Sequence, residues 1–253
     1  MTDRDIDHIK LIEECAFNAW PGLETIFYNG WLFRFASGYT KRANSVNALS
    51  PKGSFDETLS VAKSAYAERK IPLLFRITPL AGTGPDEILE DQNYRKINET
   101  LVMTLDIRDP SMPSQTSDPD IVIQQKPDLS WSKGFAHANG IGPDKKNPAH
   151  DNILAAIKAP TAYATLFANS QPLAYGLAVA ERGMVGLFDI VTIAAARRVG
   201  AAQRLVSSLL VWGKSQGAER SYLQVESTNI PAVSLYEKLG FLEAYRYHYR
   251  ISK

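Results

Sequence analysis

Cysteine and histidine are scarce in this sequence of 253 residues, which contains one Cys and four His. A single thiol excludes an internal disulfide and a zinc site built from cysteines. The histidines show no metal-ligand spacing and stand at His8, His137, His150 and His248. We therefore expect no bound metal. We also expect Cys15 to be buried filler rather than a nucleophile, because the sequence indicates no His or Asp/Asn partner for it.

Long apolar runs and an excess of one charge are also missing. No run approaches the roughly 20 residues that cross a bilayer, and the opening stretch MTDRDIDHIK is too charged for a signal peptide. The 28 Lys and Arg residues nearly balance the 27 Asp and Glu residues, without the dense basic patch that nucleic-acid binding usually needs. These absences predict a cytoplasmic protein that binds neither membranes nor nucleic acid. Its 45% hydrophobic residues are enough to form a core.

The stretch RDPSMPSQTSDPD, residues 108–120, combines three prolines with several Ser and Thr between two periodic regions. It predicts a linker at 109–119 between a first domain, 1–108, and a second domain, 120–253. In the first half, helical patterns alternate with β-rich runs that carry hairpin signals at Asn29-Gly30 and Ser37-Gly38.

The second half begins with two short helical patterns and continues with three strands, which are broken at 169–172 and at 181–183. The apolar spacing then becomes helical up to Gly217. A strand, a short helix capped by Asn229 and a last strand follow. The order β-β-β-α-β-α-β predicts a mixed fold for this half.

Two motifs in the second half resemble those of the GCN5-related N-acetyltransferases (GNAT). The stretch RRVGAA fits that family's acyl-CoA loop, in which Arg or Gln is followed by two residues, Gly, one residue and then Gly or Ala. Further along, NIPAVSLYEKLGF is similar to the family's Asn and its Leu-Tyr-Glu-Lys-Leu-Gly-Phe helix end. The resemblance covers roughly residues 121–253. It implies an α/β (α+β) GNAT fold with a mixed, mostly antiparallel sheet flanked by helices.

The first half resembles the incomplete, GNAT-like amino-terminal half found in a bacterial group of longer family members. The stretches YNGWLFRFASGYTKRANSVN and NETLVMTLD carry this resemblance. The first half has no acyl-CoA loop of its own. The resemblance therefore implies a pseudo-tandem chain with one active site, in which the degenerate first half is a scaffold and a wall of the substrate pocket.

The resemblance implies acetyl-CoA as a co-substrate, with its pyrophosphate at the turn from strand to helix. A helix start offers unpaired N–H groups and a partial positive charge, and Gly200 lets the backbone approach the ligand. Arg197 and Arg198 add charge-assisted hydrogen bonds. A backbone N–H near Val191 or Thr192, where the family's fourth strand bulges, is expected to meet the thioester carbonyl. The predicted cofactor residues are Val191, Thr192, Arg197, Arg198, Val199, Gly200, Ala201, Ala202, Asn229 and Tyr236.

The resemblance makes Tyr236 the general acid that protonates the departing thiolate, and the alternative is a core tyrosine. The base stays open among Asp189, Glu226 and a chain of waters. Both carboxylates lie in otherwise apolar strands, GLFDIVT and YLQVEST. A carboxylate buried in apolar surroundings holds its proton more tightly, which suits a base that works near neutral pH. A hydrogen-bonded structural role is the alternative for each.

A polar and aromatic cluster on the β-rich runs of the first half predicts the acceptor pocket. Its members are Trp31, Arg34, Tyr39, Arg42 and Asn44. Aromatic residues that alternate on a hairpin also occur as core or cross-strand pairs, which is the alternative here.

The predicted function is direct transfer of acetyl from acetyl-CoA to a primary amine of a small molecule, amino acid or peptide. An acyl-CoA-binding regulatory module without turnover is the first alternative, and acyl or aminoacyl transfer from a larger donor is the second. The expected partners are acetyl-CoA and a small amine acceptor, and a homodimer stays open.

Overall fold

The computed structural model describes residues 2–108, 118–141 and 148–252. The linker predicted at 109–119 lies outside the described residues apart from its last two positions. The described residues form seven α-helices: α1 (Asp3–Ala19), α2 (Phe55–Glu68), α3 (Gly84–Asp91), α4 (Leu129–Ala138), α5 (Pro148–Ala156), α6 (Ala201–Ser215) and α7 (Ile230–Lys238). None of these helices is long and apolar enough to cross a membrane.

Eleven strands of the described residues form one sheet. They are β1 (Glu24–Tyr28), β2 (Trp31–Phe35), β3 (Val46–Ala48), β4 (Leu74–Ile77), β5 (Arg95–Asp106), β6 (Ile121–Gln124), β7 (Thr161–Ala168), β8 (Gln171–Glu181), β9 (Met184–Thr192), β10 (Arg220–Glu226) and β11 (Leu242–Ile251). Their order across the sheet is β1-β2-β3-β4-β11-β5-β10-β9-β8-β7-β6. The sequence patterns do not predict β6, whose four residues are too few for a clear alternation.

The sheet is mixed and mostly antiparallel, as predicted. Strands β3 and β4 pair in parallel, as do β9 and β10. The other neighbouring pairs of the sheet are antiparallel. Each half of the chain therefore contains one parallel pair, and the pair in the second half positions the candidate site.

The two halves share the middle of the sheet. The last strand, β11, lies between β4 and β5 and pairs antiparallel with both. Strand β5 is the last strand of the first half, and its other edge pairs with β10. Each half thus supplies a strand that hydrogen-bonds to strands of the other half, and the sheet is continuous between them.

Two of the turns that the sequence indicates are tight hairpin turns. Asn29 and Gly30, with φ of +46° and +76°, join β1 to β2. Arg182 and Gly183, with φ of +52° and +74°, join β8 to β9. Positive φ at both central residues is the geometry of a type I′ hairpin, whose twist matches that of the flanking strands. Local turn chemistry therefore fixes the register of these two hairpins.

Buried apolar side chains form three clusters. One lies in the first half around Trp31 and Phe75. A second packs α6 against the strands of the second half, around Leu205 and Leu209. The third contains residues from both halves, including Trp20 of the first and Phe188 of the second. Burial of apolar surface is the main favourable term in folding, so the third cluster stabilises the contact between the halves.

An ion pair is buried inside the third cluster. Glu13 of α1 accepts hydrogen bonds from both terminal nitrogens of Arg76 on β4, and the Nη2 to Oε1 distance is 2.9 Å. Neither side chain is more than 1% exposed. Tyr245 of β11 donates to the same carboxylate. The pair therefore joins a helix and a strand of the first half to the strand that comes from the second.

We expect Glu13→Gln to lower the free energy of unfolding by about 3 kcal/mol, because the Arg76 guanidinium would stay buried without its counter-charge. Urea denaturation followed by circular dichroism measures the change. Glu243→Gln is the control, because it removes a half-exposed ion pair with Arg246 and should change stability by less than about 1 kcal/mol. Equal losses of unfolding free energy in the two variants would show that the buried ion pair stabilises the fold no more than the half-exposed one.

Candidate active site

Strands β9 and β10 run in parallel and then separate. They pair between residues 184–187 and 220–223, and the last partners are Leu187 and Leu223. Beyond this point a cavity of about 320 Å³ lies between them and is lined by residues of both strands. The remaining residues of β9 therefore present backbone groups that β10 does not pair.

A β-bulge in β9 lies beside this cavity. The register with β8 shifts by one residue between Phe188, opposite Leu177, and Val191, opposite Tyr175. Asp189, inside the bulge, has a φ of +51°, a left-handed conformation that Asp adopts more readily than most residues. Bulges re-aim side chains, and Asp189 lines the cavity. The strand expected to bulge does so, and it also separates from β10.

The walls of the cavity come from both halves of the chain. The predicted site residues that line it are Arg42, Asp189, Glu226, Asn229 and Tyr236. Trp20 and Thr40 complete the wall from the first half. Residues far apart in the sequence thus meet in one cavity, and the first half forms part of the pocket wall.

Asp189 is paired with a histidine for which the sequence predicts no role. The Nε2 atom of His150, on α5, lies 2.8 Å from Oδ2 of Asp189. The His150 side chain is 4% exposed and its ring stacks on Phe135, with 4.9 Å between the ring centroids. The rings of Trp20 and Tyr39 contact other parts of it. This aromatic enclosure fixes the imidazole, and the imidazole in turn orients the carboxylate.

Glu226 differs from the prediction that both carboxylates are embedded in apolar strands. It is the last residue of β10, beyond the point where β9 has separated, and its side chain is exposed. Its Oε1 atom accepts a hydrogen bond of 2.9 Å from Nδ2 of Asn98 on β5. Glu226 reaches the cavity from its open side, whereas the Asp189 side chain is only 15% exposed.

Tyr236 lies in the wall of the cavity on α7 and is 7% exposed. Its ring packs edge-on against Phe241, with 5.8 Å between the centroids. Burial raises the pKa of Tyr236 to about 12, above the value near 10 expected for a free phenol. The hydroxyl therefore stays protonated at physiological pH. Asn229 caps α7 by accepting from the Ala232 amide at 3.4 Å, and it also lines the cavity.

Arg42 reaches the cavity from the loop between β2 and β3, residues 36–45. The predicted tight hairpin at Ser37-Gly38 is instead the beginning of this longer loop. Asn44 holds the loop from inside: its side-chain oxygen accepts from the amides of Ala36 and Gly38, and its nitrogen donates to two loop carbonyls. The loop is thereby fixed against the cavity.

Three of the five residues predicted to line the acceptor pocket are interior residues instead. Asn44 is 3% exposed and hydrogen-bonds to the backbone of the loop. Trp31 is 1% exposed in the core of the first half. Arg34 is also 1% exposed, and its guanidinium donates to the backbone carbonyls of Phe17, Trp20 and Arg42. The polar atoms of Asn44 and Arg34 hold backbone, and the Trp31 ring packs against Phe55 and Phe75, so none of the three lines the cavity. Tyr39 contacts the His150 ring, and of the five residues Arg42 is the one that lines the cavity.

A second cavity, of about 420 Å³, follows the first along β9. It is lined by the end of α4 and by Val191, Ile193, Ala194 and Arg197. The two cavities together extend from the bulge to the loop before α6. An elongated ligand placed along β9 would therefore reach both.

The loop before α6 offers free donors. Gly200 is the N-cap of α6 with a φ of +81°, and no side chain caps the helix. A Cβ atom added at Gly200 would have no neighbour within 4 Å, so the backbone here is open. Arg197, Arg198 and Val199 are exposed, and Nε of Arg197 makes only a long hydrogen bond, 3.5 Å, to the Thr192 carbonyl. The free amides and the two guanidinium groups suit a phosphate.

Thr192 presents its amide toward the gap between β9 and β10. The Ile193 amide donates to the carbonyl of Leu173, a residue of the neighbouring strand β8, at 2.9 Å. Amides of an antiparallel strand alternate in direction, so Val191 also points toward β8 and Thr192 points away from it. Of the two donors predicted for the thioester carbonyl, Thr192 is the one whose amide faces the gap, and Val191 contributes its side chain to the second cavity.

Cys15 is buried, as expected, and burial raises the pKa of its thiol to about 11. A protonated, buried thiol is a poor nucleophile. In the described ranges no group of three or more His, Cys, Asp or Glu side chains is placed to hold a metal ion.

The site also contains residues that the sequence did not indicate. These are Trp20, Thr40, His150 and Gln224. They lie in different helices, loops and strands, and none is a position of the acyl-CoA loop or of the Leu-Tyr-Glu-Lys helix. Trp20, Thr40 and Gln224 line the cavity, His150 contacts its Asp189, and only contacts between residues far apart in the sequence bring them together.

The chain is a GNAT protein. Residues 7–250 match a family described as "Probable histone acetyltransferase Rv0428c C-terminal", and the chain belongs to that family. It is 32% identical over 253 residues to the "Uncharacterized N-acetyltransferase YobR" of Bacillus subtilis, covering 98% of this chain and 100% of the relative.

Two solved structures share the fold. The GCN5-related N-acetyltransferase from Kribbella flavida aligns with a TM-score of 0.66 at 12% identity, over 96% of this chain and 95% of that one. A tandem GNAT protein from the clavulanic acid biosynthesis pathway aligns with a TM-score of 0.56 at 12% identity, over 78% of this chain and 69% of that one. The second likeness agrees with the pseudo-tandem arrangement that the sequence predicts.

Proposed function

We propose that this protein is an acetyl-CoA-dependent N-acetyltransferase that moves an acetyl group directly to a primary amine of a small molecule, amino acid or peptide. The observation that carries the proposal is the succession of two cavities along β9. The first contains Asp189 and Tyr236, and the second ends at Arg197. A donor with its thioester in the first cavity and its phosphates at the loop would lie along the unpaired side of β9.

The loop residues fit the phosphates of such a donor. Acetyl-CoA supplies the acetyl group as a thioester, and its pyrophosphate is assigned to the free helix start with its partial positive charge. The residues assigned to the donor are Val191, Thr192, Arg197, Arg198, Val199, Gly200, Ala201, Ala202, Asn229 and Tyr236. The Thr192 amide, directed into the gap, is the donor assigned to the thioester carbonyl, where negative charge grows as the amine attacks.

Two protons must move during the transfer. The attacking ammonium loses one so that its nitrogen can bond to the carbonyl carbon, and the sulfur gains one when the carbon–sulfur bond breaks. We assign the first proton to the Asp189 carboxylate, which His150 orients, and the second to the Tyr236 hydroxyl, which stays protonated until high pH. The products are then an N-acetylated amine and a free thiol.

The assignment of the base is tested by two isosteric changes. We expect Asp189→Asn to lower kcat/KM by about 100-fold, since a positioned general base typically contributes at least that much. Glu226→Gln should leave kcat/KM nearly unchanged, because Glu226 is exposed and held by Asn98. Free-thiol release in the presence of an amine measures both. A larger loss in Glu226→Gln would make Glu226 the base, and no loss in either would favour a chain of waters.

The rival function is a regulatory module that binds acyl-CoA without turnover. Calorimetric binding of acetyl-CoA, with no free thiol released over a broad panel of amines, would support this rival. The panel contains amino acids, polyamines, aminoglycosides and peptides. The family description names a histone acetyltransferase, so a lysine-rich histone tail peptide belongs in the panel. Acceptor-dependent thiol release with any member supports the proposed transferase.

A further inference from the structure

Two buried hydrogen-bond donors in the candidate active site have no acceptor. Nε of Arg42 and Nε2 of Gln224 are buried nitrogens without a partner in the described part of the chain, and both residues line the 320 Å³ cavity. A third such nitrogen, on Arg76, belongs to the buried pair with Glu13. Buried donors are nearly always satisfied in folded proteins. Two unsatisfied donors in one cavity therefore indicate where a ligand supplies a hydrogen-bond acceptor.

The positive charge of Arg42 has no counter-ion among the described residues. Its guanidinium lies 5.6 Å from the ring centroid of Phe188, which is a weaker interaction than an ion pair. The carboxylates that line the same cavity have other partners, because Asp189 pairs with His150 and Glu226 accepts from Asn98. The wall that Arg42 forms is therefore electropositive.

The electropositive wall extends to Gln224 on β10. The Tyr247 hydroxyl donates to Oε1 of Gln224 at 3.0 Å, which leaves the amide nitrogen of Gln224 as the free group. Burial acts to raise the pKa of Tyr247, but the guanidinium groups of Arg76 and Arg42 outweigh it and hold that pKa below its usual value. The region thus favours negative charge, and its free polar atoms are donors.

We propose that the amine acceptor is an amino acid, whose carboxylate is held by Arg42 and Gln224 while its amine lies toward Asp189. This inference rests on the proposed transferase function. A carboxylate contains only acceptor oxygens, so it satisfies both orphan donors and supplies the missing counter-charge. A polyamine or an aminoglycoside brings further cations instead, and these are repelled by Arg42.

The geometry separates this site from the one assigned to the phosphates of acetyl-CoA, whose thioester end shares the first cavity. The phosphates of the donor belong at the 197–202 loop, beside the second cavity, whereas Arg42 and Gln224 line the first. A cavity of about 320 Å³ lies at the lower end of the range for small-molecule sites, which fits an amino acid. The lysine side chain of a histone tail has no carboxylate next to its amine and lacks the group that this wall would bind.

The test compares acceptors that differ only in the carboxylate. The pairs are lysine with cadaverine, phenylalanine with phenethylamine, and tyrosine with tyramine, and each amino acid is also tested as its carboxamide. Thiol release with saturating acetyl-CoA gives kcat/KM for each compound. We expect at least one amino acid to be preferred over its partner amine and its carboxamide by about 100-fold or more.

Variants of Arg42 then test whether this residue causes the preference for a carboxylate in the acceptor. Arg42→Gln is expected to bring the ratio of kcat/KM between amino acid and amine close to one, and Arg42→Lys should retain part of it because the charge remains. Arg95→Gln removes an exposed arginine of the same half and should leave the ratio unchanged. Thermal unfolding shows whether each variant is folded. The comparison of acceptors on the unaltered protein needs no variant, so it stands even if Arg42→Gln does not fold.

The outcomes separate this inference from the function on which it rests. Equal rates for amino acids and their partner amines, or a preference that survives in folded Arg42→Gln, would overturn the carboxylate site while the transferase stands. Turnover of the histone tail peptide without turnover of free amino acids would overturn it in favour of a protein acceptor. An absence of thiol release with every acceptor would refute both the carboxylate site and the transferase function.

Discussion

Gly200→Asp is expected to weaken acetyl-CoA binding about a thousandfold and to leave the protein folded. Two like charges 4 Å apart at an effective dielectric constant of 20 repel by about 4 kcal/mol, and each 1.4 kcal/mol is tenfold in affinity. Gly200 is the N-cap of α6 with a φ of +81°, so an Asp there is strained, although its negative charge at the helix start offsets part of that strain. The loss of affinity should therefore be much larger than the change in thermal stability. Calorimetry with CoA measures the affinity, and a thermal unfolding curve measures the stability.

Two variants separate the charge from the backbone strain at this position. Gly200→Asn adds a side chain of the same shape without the charge, and it should retain more affinity than Gly200→Asp. Gly217 ends the same helix with a φ of +82°, and a Cβ atom there also has no neighbour within 4 Å. Gly217→Asp imposes the same conformational strain away from the loop, so its affinity should match that of the unaltered protein. Unaltered affinity in Gly200→Asp would refute the phosphate site.

Tyr236→Phe is expected to lower kcat by about a hundredfold to ten thousandfold, the range of general acid catalysis, with little change in acetyl-CoA affinity. The ring stays in place against Phe241, so only the proton donor is lost. Single-turnover thiol release measures the chemical step and calorimetry measures the affinity. Tyr94→Phe is the matched control, because Tyr94 is also 7% exposed but belongs to the core of the first half.

The pH dependence gives a second test of Tyr236. Because burial raises the pKa of its hydroxyl to about 12, the acid remains protonated up to roughly that pH. The rate should therefore show no alkaline decline from this group below about pH 11. A decline centred near pH 8 to 9 that disappears in Tyr236→Phe would contradict the raised pKa. Unchanged thiol release in Tyr236→Phe would remove Tyr236 as the acid.

Local patterns in the sequence predict most of the helices and strands. Alternation and helical spacing indicate the strands and the long helix of the second half, and paired Gly and Asn residues indicate the hairpins, because these features depend on neighbours in the chain. The acyl-CoA loop and the Leu-Tyr-Glu-Lys helix are also local motifs. For this reason the sequence could indicate Asp189, Asn229 and Tyr236 as members of one site.

The rest depends on contacts between distant residues. Nothing in the spacing between His150 and Asp189 indicates that they meet, since α5 and the bulge of β9 are brought together only by packing. The sequence predicts Arg34 in the pocket because it is polar on a β-rich hairpin, yet it is buried and donates to three carbonyl groups. The sequence predicts an apolar environment for Glu226 because its neighbours in sequence are apolar, whereas its neighbours in space leave it exposed. Sequence distance alone does not distinguish these cases.

The central place of β11 has a consequence for how the protein is made. A ribosome releases β11 after the ten other strands of the sheet, so the facing edges of β4 and β5 have no partner until then. Unpaired strand edges invite pairing with other chains. The nascent protein therefore carries an aggregation-prone gap in the middle of its sheet for most of its synthesis. A chain that stops before Leu242 would lose an interior strand, and the facing edges of β4 and β5 would remain unpaired.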